Sequence, residues 1–101
     1  MSAIHKLKIR PEYFKVVLSG EKKFEIRKND RDFNVGDYLV LREYTENAYT
    51  GKQAIFKITY ILADPEFLMP GYAALSIQHC TSEELIEFYA IQEGSVQDNE
   101  T

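Results

Sequence analysis

The chain has 101 residues, 45% of them hydrophobic and 28% charged, with a formal net charge of −4, which is the length of one domain with a sizeable core. No apolar run approaches the roughly 20 residues that span a bilayer, and Met1 to Lys6 lacks the apolar centre of a signal peptide. Cys80 is the only cysteine, which excludes an intrachain disulfide and makes a reducing cytoplasm the expected location.

The net charge conceals an asymmetry. Of the 12 Lys and Arg, nine lie in residues 1–31 against four acids, while residues 32–101 hold three against twelve. Positive charge gathered in one third of the chain suits a phosphate-bearing partner better than uniform acidity would.

His5 to Ile9 alternates polar and apolar residues and predicts a first strand, with His5 in a structural or rim position. Pro11 then suits the first turn of a helix. Tyr13, Phe14, Val17 and Leu18 form its apolar stripe, and Gly20 supplies the left-handed cap, so the helix is expected over about Pro11 to Ser19. The stretch that follows, Gly20 to Arg31, is dense in charge around Phe24 and Ile26. Their alternation predicts a half-buried strand in which Phe24 and Ile26 face the core, and Lys23, Glu25 and Arg27 line the opposite face.

Asn29 to Val35 reads as a polar connection ending in the turn Gly36-Asp37. A strand is predicted over Tyr38 to Tyr44, a hairpin connection over Thr45 to Lys52, and a long strand over Ala54 to Leu62 with Phe56, Ile58, Tyr60 and Leu62 on one face. Pro65 to Gly71 is a loop and Tyr72 to Gln78 a last strand. Thr81 and Glu84 match a capping box, so Leu85, Ile86, Phe88 and Tyr89 can lay a second helix on the sheet. The expected fold class is α+β: a small mixed β-barrel of five to six strands with an N-terminal and a possible C-terminal helix. Residues 1–91 are expected to form one domain, and 92–101 a polar, frayed tail.

Gly20, Lys22, Glu25 and Arg27 have the spacing Gly-x-Lys-x-x-Glu-x-Arg. This resembles the signature of the ASCH domain (activating signal cointegrator homology), a branch of the PUA-like superfamily. The preceding helix, Val35-Gly36-Asp37 before a strand, and the final Gly71-to-Ile77 strand occur in the matching order, so the likeness covers about residues 4–78. His5 to Ile9 and Arg27 to Arg31 are most similar to a compact bacterial and phage subgroup. The resemblance implies a barrel with a cleft beside the signature strand that binds RNA or a modified nucleoside, without a cofactor. Some small relatives are amidohydrolases that remove the acetyl group of N4-acetylcytidine, and others have been described as ribonucleases. In the amidohydrolases the signature Lys acts with a Thr and a distant Glu. Lys22 matches that Lys, whereas Glu25 stands in the place of the Thr, so the hydroxyl is missing here.

The expected function is therefore an RNA- or nucleotide-binding module, with a hydrolase of a modified nucleoside or of RNA as the alternative. The ligand-binding candidates are Lys22, Lys23, Glu25, Arg27, Arg31 and Tyr44, with Lys22 and Glu25 as the acid/base pair if the protein is an enzyme. Lys22 offers a point charge for phosphate or, desolvated, a general base. Arg27 offers a planar fork, and Glu25 an acceptor for an exocyclic amine. Arg31 extends the basic surface, and Tyr44 and Tyr49 are placed to stack bases. His79 and Cys80 are adjacent, but two ligands without further cysteines do not make a metal site.

Overall fold

Five strands and two helices follow one another as β1 (Ile4–Ile9), α1 (Pro11–Ser19), β2 (Phe24–Lys28), β3 (Tyr38–Thr45), β4 (Ala48–Leu62), β5 (Tyr72–His79) and α2 (Ser82–Gly94). The computed structural model describes residues 2–94, and the fold class is α+β. The strands form one sheet in the order β1-β3-β4-β5-β2, with β1 parallel to β3 and the other neighbours antiparallel. β1 and β2 are therefore the two edges, yet Arg27 of β2 donates Nη2–H to the carbonyl of Lys8 in β1 at 2.7 Å. A side chain reaches from edge to edge only if the sheet is curled. The result is an open half-barrel of five strands, with a gap between β1 and β2 bridged by side chains rather than by a backbone ladder.

α1 connects the two edges and fills the concave side. Pro11 opens it and Gly20 closes it at φ 85°, with the Gly20 N–H donating to Val17 O at 3.2 Å. Phe14 and Val17 pack there against Leu7, Leu39, Phe56 and Leu75, while Tyr13 and Leu18, read as part of the same stripe, stay about half exposed. A nine-residue helix has room for only one narrow buried seam.

The facing of β2 is the reverse of the expected one. Glu25 pairs with Leu75 and Arg27 with Ala73, both on the concave side of β5, while Phe24 and Ile26 lie opposite Ser76 and Ala74 on the convex side. Glu25 is 4% exposed, Phe24 47% and Ile26 51%. Alternation fixes the period of a strand but not which parity faces inward. Here the concave side is open at the β1–β2 gap and supplies the cations that make a buried carboxylate tolerable.

Two further corrections lie in β4. The hairpin after β3 is a two-residue turn at Glu46 and Asn47, both at positive φ, so β4 begins at Ala48. A bulge between Ile58 and Tyr60 then shifts the alternation. Phe56 and Ile58 are buried as expected, but Tyr60 is 62% exposed and Ile61 takes the place next to the core.

α2 is started by the capping box: Thr81 N–H donates to Glu84 Oε1 at 2.8 Å and Glu84 N–H to Thr81 Oγ1 at 3.1 Å. It covers the convex face over β1 and β3, where Phe88 packs with Ile4, Tyr38 and Val40. Leu85 and Phe88 face the sheet, whereas Ile86 and Tyr89 point to solvent. The helix runs to Gly94, and the rest of the expected tail, from residue 95, lies outside the described residues. His5 is structural: it is 3% exposed and its Nε2 lies 2.9 Å from Asp37 Oδ2, tying β1 to the turn before β3. Among the described residues, no helix is long and apolar enough to cross a membrane.

Candidate functional site

Glu25 is the centre of the charged stretch. Its carboxylate accepts from Lys22 Nζ at 2.6 Å on one oxygen and from Arg27 Nε at 3.0 Å on the other, with Arg27 Nη2 2.9 Å from that second oxygen. The Glu25 side chain is 5% exposed, against 19% for Lys22 and 21% for Arg27. The backbone makes this arrangement possible. Gly20 turns the chain out of α1, Lys22 N–H returns to Val16 O at 2.9 Å, and β2 then sets Glu25 and Arg27 two residues apart on one face. Lys22 also donates to Phe24 O at 2.6 Å. A carboxylate so placed holds two cations in position with both of its oxygens engaged.

Arg27 continues to Lys8 O, and Arg31 donates Nη1–H to Lys6 O at 3.4 Å. Alternate carbonyls of β1 thus meet arginines across the gap. A guanidinium suits this task because its planar fork serves several acceptors at once. The Arg31 side chain is 9% exposed, its Nε lies 4.0 Å from Asp30 Oδ1, and its Nη2 is buried with no partner among the described residues.

The gap opens into a cleft of about 210 Å³ walled by Lys8, Ile9 and Arg10 at the end of β1, Tyr13 of α1, and Glu25, Ile26 and Arg27 of β2. Arg10 is exposed and precedes the first turn of α1, where its carbonyl accepts from Tyr13 and Phe14 N–H. Its side chain has no hydrogen bond or ion pair among the described residues. The cleft therefore sets Arg10 and Arg27 against one carboxylate, whose other cation, Lys22, lines a neighbouring hollow, while the Lys8 ammonium lies over the Tyr44 ring.

Of the six ligand candidates, Lys22, Glu25 and Arg27 come together, Glu25 and Arg27 lining this cleft and Lys22 lining the next hollow. Lys23 is exposed and lines, with Lys22, Val17, Phe56 and Ile77, that separate hollow of about 120 Å³. Arg31 lies one step further along the β1 edge. Tyr44 is on the convex side, its ring 5.0 Å from that of Tyr49 and covered by Lys8 Nζ at 4.4 Å. Arg10 and Tyr13 are the wall residues that sequence reasoning missed as ligands. The signal was the Arg10-Pro11 junction, which has to deliver both to the end of β1.

A second charged group lies on the convex side. Tyr38 donates its O–H to Glu87 Oε1 at 2.5 Å and lies 2.9 Å from Glu84 O, while Lys57 Nζ lies 3.4 Å from Glu87 Oε1 and 4.2 Å from the Tyr38 ring. Burial, then the bond to Glu87, raises the Tyr38 pKa above its ordinary value. The Tyr38 and Lys57 contacts lower that of Glu87. Burial, then the charge of Glu84, pushes the Cys80 thiol up to about 11. This group has no cleft and serves to hold α2. His79 stacks on Phe56 at 4.6 Å, its Nε2 3.1 Å from Leu18 O. No group of three or more His, Cys, Asp or Glu side chains able to hold a metal forms among the described residues.

Residues 4–77 match the family described as Domain of unknown function (DUF3850). The chain is also similar to the "Uncharacterized 12.9 kDa protein in GpA 3'region" of Escherichia phage P2, at 41% identity over 59 residues, which are 58% of this chain and 54% of that protein. The match thus spans about half of the phage protein's length.

Proposed function

The chain belongs to the DUF3850 family, and we propose that it is an RNA- or nucleotide-binding module of the ASCH, PUA-like kind, with the β1–β2 gap as its binding cleft. The observation that carries this reading is the excess of cations at that cleft. Arg10 and Arg27 line it beside a single carboxylate, Glu25, whose charge is also offset by Lys22 from the adjoining hollow. Positive charge gathered at a cleft attracts an anionic ligand. The resemblance in the Gly20-to-Arg27 signature supports the same site.

The geometry favours binding over hydrolysis. A general base needs a lone pair directed at the substrate, whereas Lys22 Nζ donates to both Glu25 Oε1 and Phe24 O. Glu25, surrounded by donors, is poorly placed to take a proton from a ligand.

Titration of a short fluorescent single-stranded RNA at several salt concentrations tests the reading. About three phosphate contacts give a slope near −2 in log K against log salt. Lys22→Arg keeps the charge and most of the affinity, and an Arg27→Glu/Lys22→Glu double variant loses it. Salt-independent binding, or equal binding by the double variant, overturns the proposal. Turnover of N4-acetylcytidine or RNA that disappears in Lys22→Arg while binding survives replaces it with the hydrolase, with Lys22 as the base.

A further inference from the structure

We infer that Tyr13 is the stacking platform of the cleft and Arg10 its phosphate ligand, so that the site takes one phosphorylated nucleotide unit at a time. This rests on the binding reading above and adds to it the size and parts of the ligand. Tyr13 is 45% exposed although it belongs to the apolar side of α1, and its ring forms a wall of the cleft instead of joining the core. Lys22 Nζ lies over this ring at 5.6 Å from the centroid, against 4.4 Å for Lys8 over Tyr44. Ile9 and Ile26 add apolar surface to the same cleft.

The other aromatic candidate is already engaged. The Tyr44 ring is packed edge-on with Tyr49, has Lys8 Nζ over it at 4.4 Å, and lies on the convex side outside the cleft lining. Arg27 in the cleft and Lys22 beside it are both shared with Glu25. Arg10 has its whole fork available, and a guanidinium fork matches phosphate oxygens in pairs. A volume of about 210 Å³ lies below the range of about 300–1,000 Å³ that encloses drug-sized ligands. It is suited to one base with its sugar, the phosphate remaining at the Arg10 rim.

The test compares adenosine 5′-monophosphate with adenosine by calorimetric titration of the parent, Tyr13→Ala, Tyr13→Phe and Arg10→Gln proteins, each checked for an unchanged melting temperature. Tyr13→Phe is expected to keep the affinity for the monophosphate within about twofold, and Tyr13→Ala to lose about 5- to 150-fold, the range of one base stack. Arg10→Gln is expected to lower the monophosphate towards the affinity of adenosine and to leave adenosine itself unchanged. If the parent binds the monophosphate and Tyr13→Ala binds it equally well, the inference is wrong and the binding reading stands. The same holds if RNA binds but the monophosphate does not. If the parent binds neither RNA nor the monophosphate, both fail together.

Discussion

Lys22–Glu25 and Lys57–Glu87 are the same chemical pair on opposite faces of one sheet, and they do different work because a different group is buried at each. On the concave side the carboxylate is hidden: Glu25 is 5% exposed and is held at 2.6 Å by Lys22 and at 2.9 Å by Arg27. On the convex side Glu87 is 55% exposed and 3.4 Å from Lys57, and the hidden group is the neutral phenol of Tyr38, 0% exposed, which uses Glu87 as its acceptor. A buried charge cannot lose its partners cheaply, whereas a hydrated one can. The first pair therefore commits the β1–β2 gap to a fixed arrangement of cations beside a cleft. The second latches a helix onto the sheet.

Removing the buried carboxylate is the most severe way to test the contrast. Glu25→Ala leaves Lys22 and Arg27 facing each other without their shared partner. It is expected to cost about 3 kcal/mol or more, the scale for breaking a buried ion pair, and to lower the melting temperature by well over 10 °C. Urea unfolding measures it, and a loss below about 1 kcal/mol would mean that the pair is hydrated in solution.

Tyr38→Phe breaks the latch instead. It removes the hydroxyl contacts to Glu87 and Glu84, with an expected loss of about 1–2 kcal/mol. The same hydroxyl gives a pH signature. Because burial and the Glu87 contact raise the folded-state pKa of Tyr38, its contribution is complete below the unfolded value of about 10 and is lost as pH rises through the higher folded value. Lys57 acts in the same direction: burial lowers its pKa, but the Tyr38 and Glu87 contacts outweigh that and raise it. Melting temperatures followed from pH 8 to pH 11 should fall more steeply in the parent than in Tyr38→Phe. Parallel curves would show that Tyr38 does not titrate in the latch.

What could be read from the chain beforehand follows the same division between local and remote signals. The bounds of α1 came from Pro11 and Gly20, and the start of α2 from Thr81 and Glu84, because helix ends are specified by residues three or four apart. The gathering of Lys22, Glu25 and Arg27 was visible for the same reason. The face of the sheet they occupy was not: the apolar pair Phe24 and Ile26 suggested the wrong parity, and only the register with Leu75 and Ala73 decides it. The Tyr38 latch joins residues 46 and 49 positions apart, and no local pattern in the sequence announces it. The bulge that turns Tyr60 outward is also a property of β4 paired with β5, not of β4 alone.

The smallest expected effect sharpens the picture of the latch. Cys80 packs against the cluster under α2, and its thiol pKa is pushed up to about 11, so little thiolate exists at pH 8. Iodoacetamide should modify it slowly in the native protein and rapidly after unfolding. Rapid native labelling at pH 8 would mean that α2 leaves the sheet.

The contrast between the two faces is tested most directly by backbone amide shifts of the ¹⁵N-labelled protein during titration with a short single-stranded RNA. The largest changes are expected along the cleft walls, at Lys8 to Tyr13 and at Lys22 to Arg27, with those around Tyr38, Lys57 and α2 nearly still. Changes centred on the convex face, or none at saturating RNA, would contradict the assignment of the β1–β2 gap as the working surface.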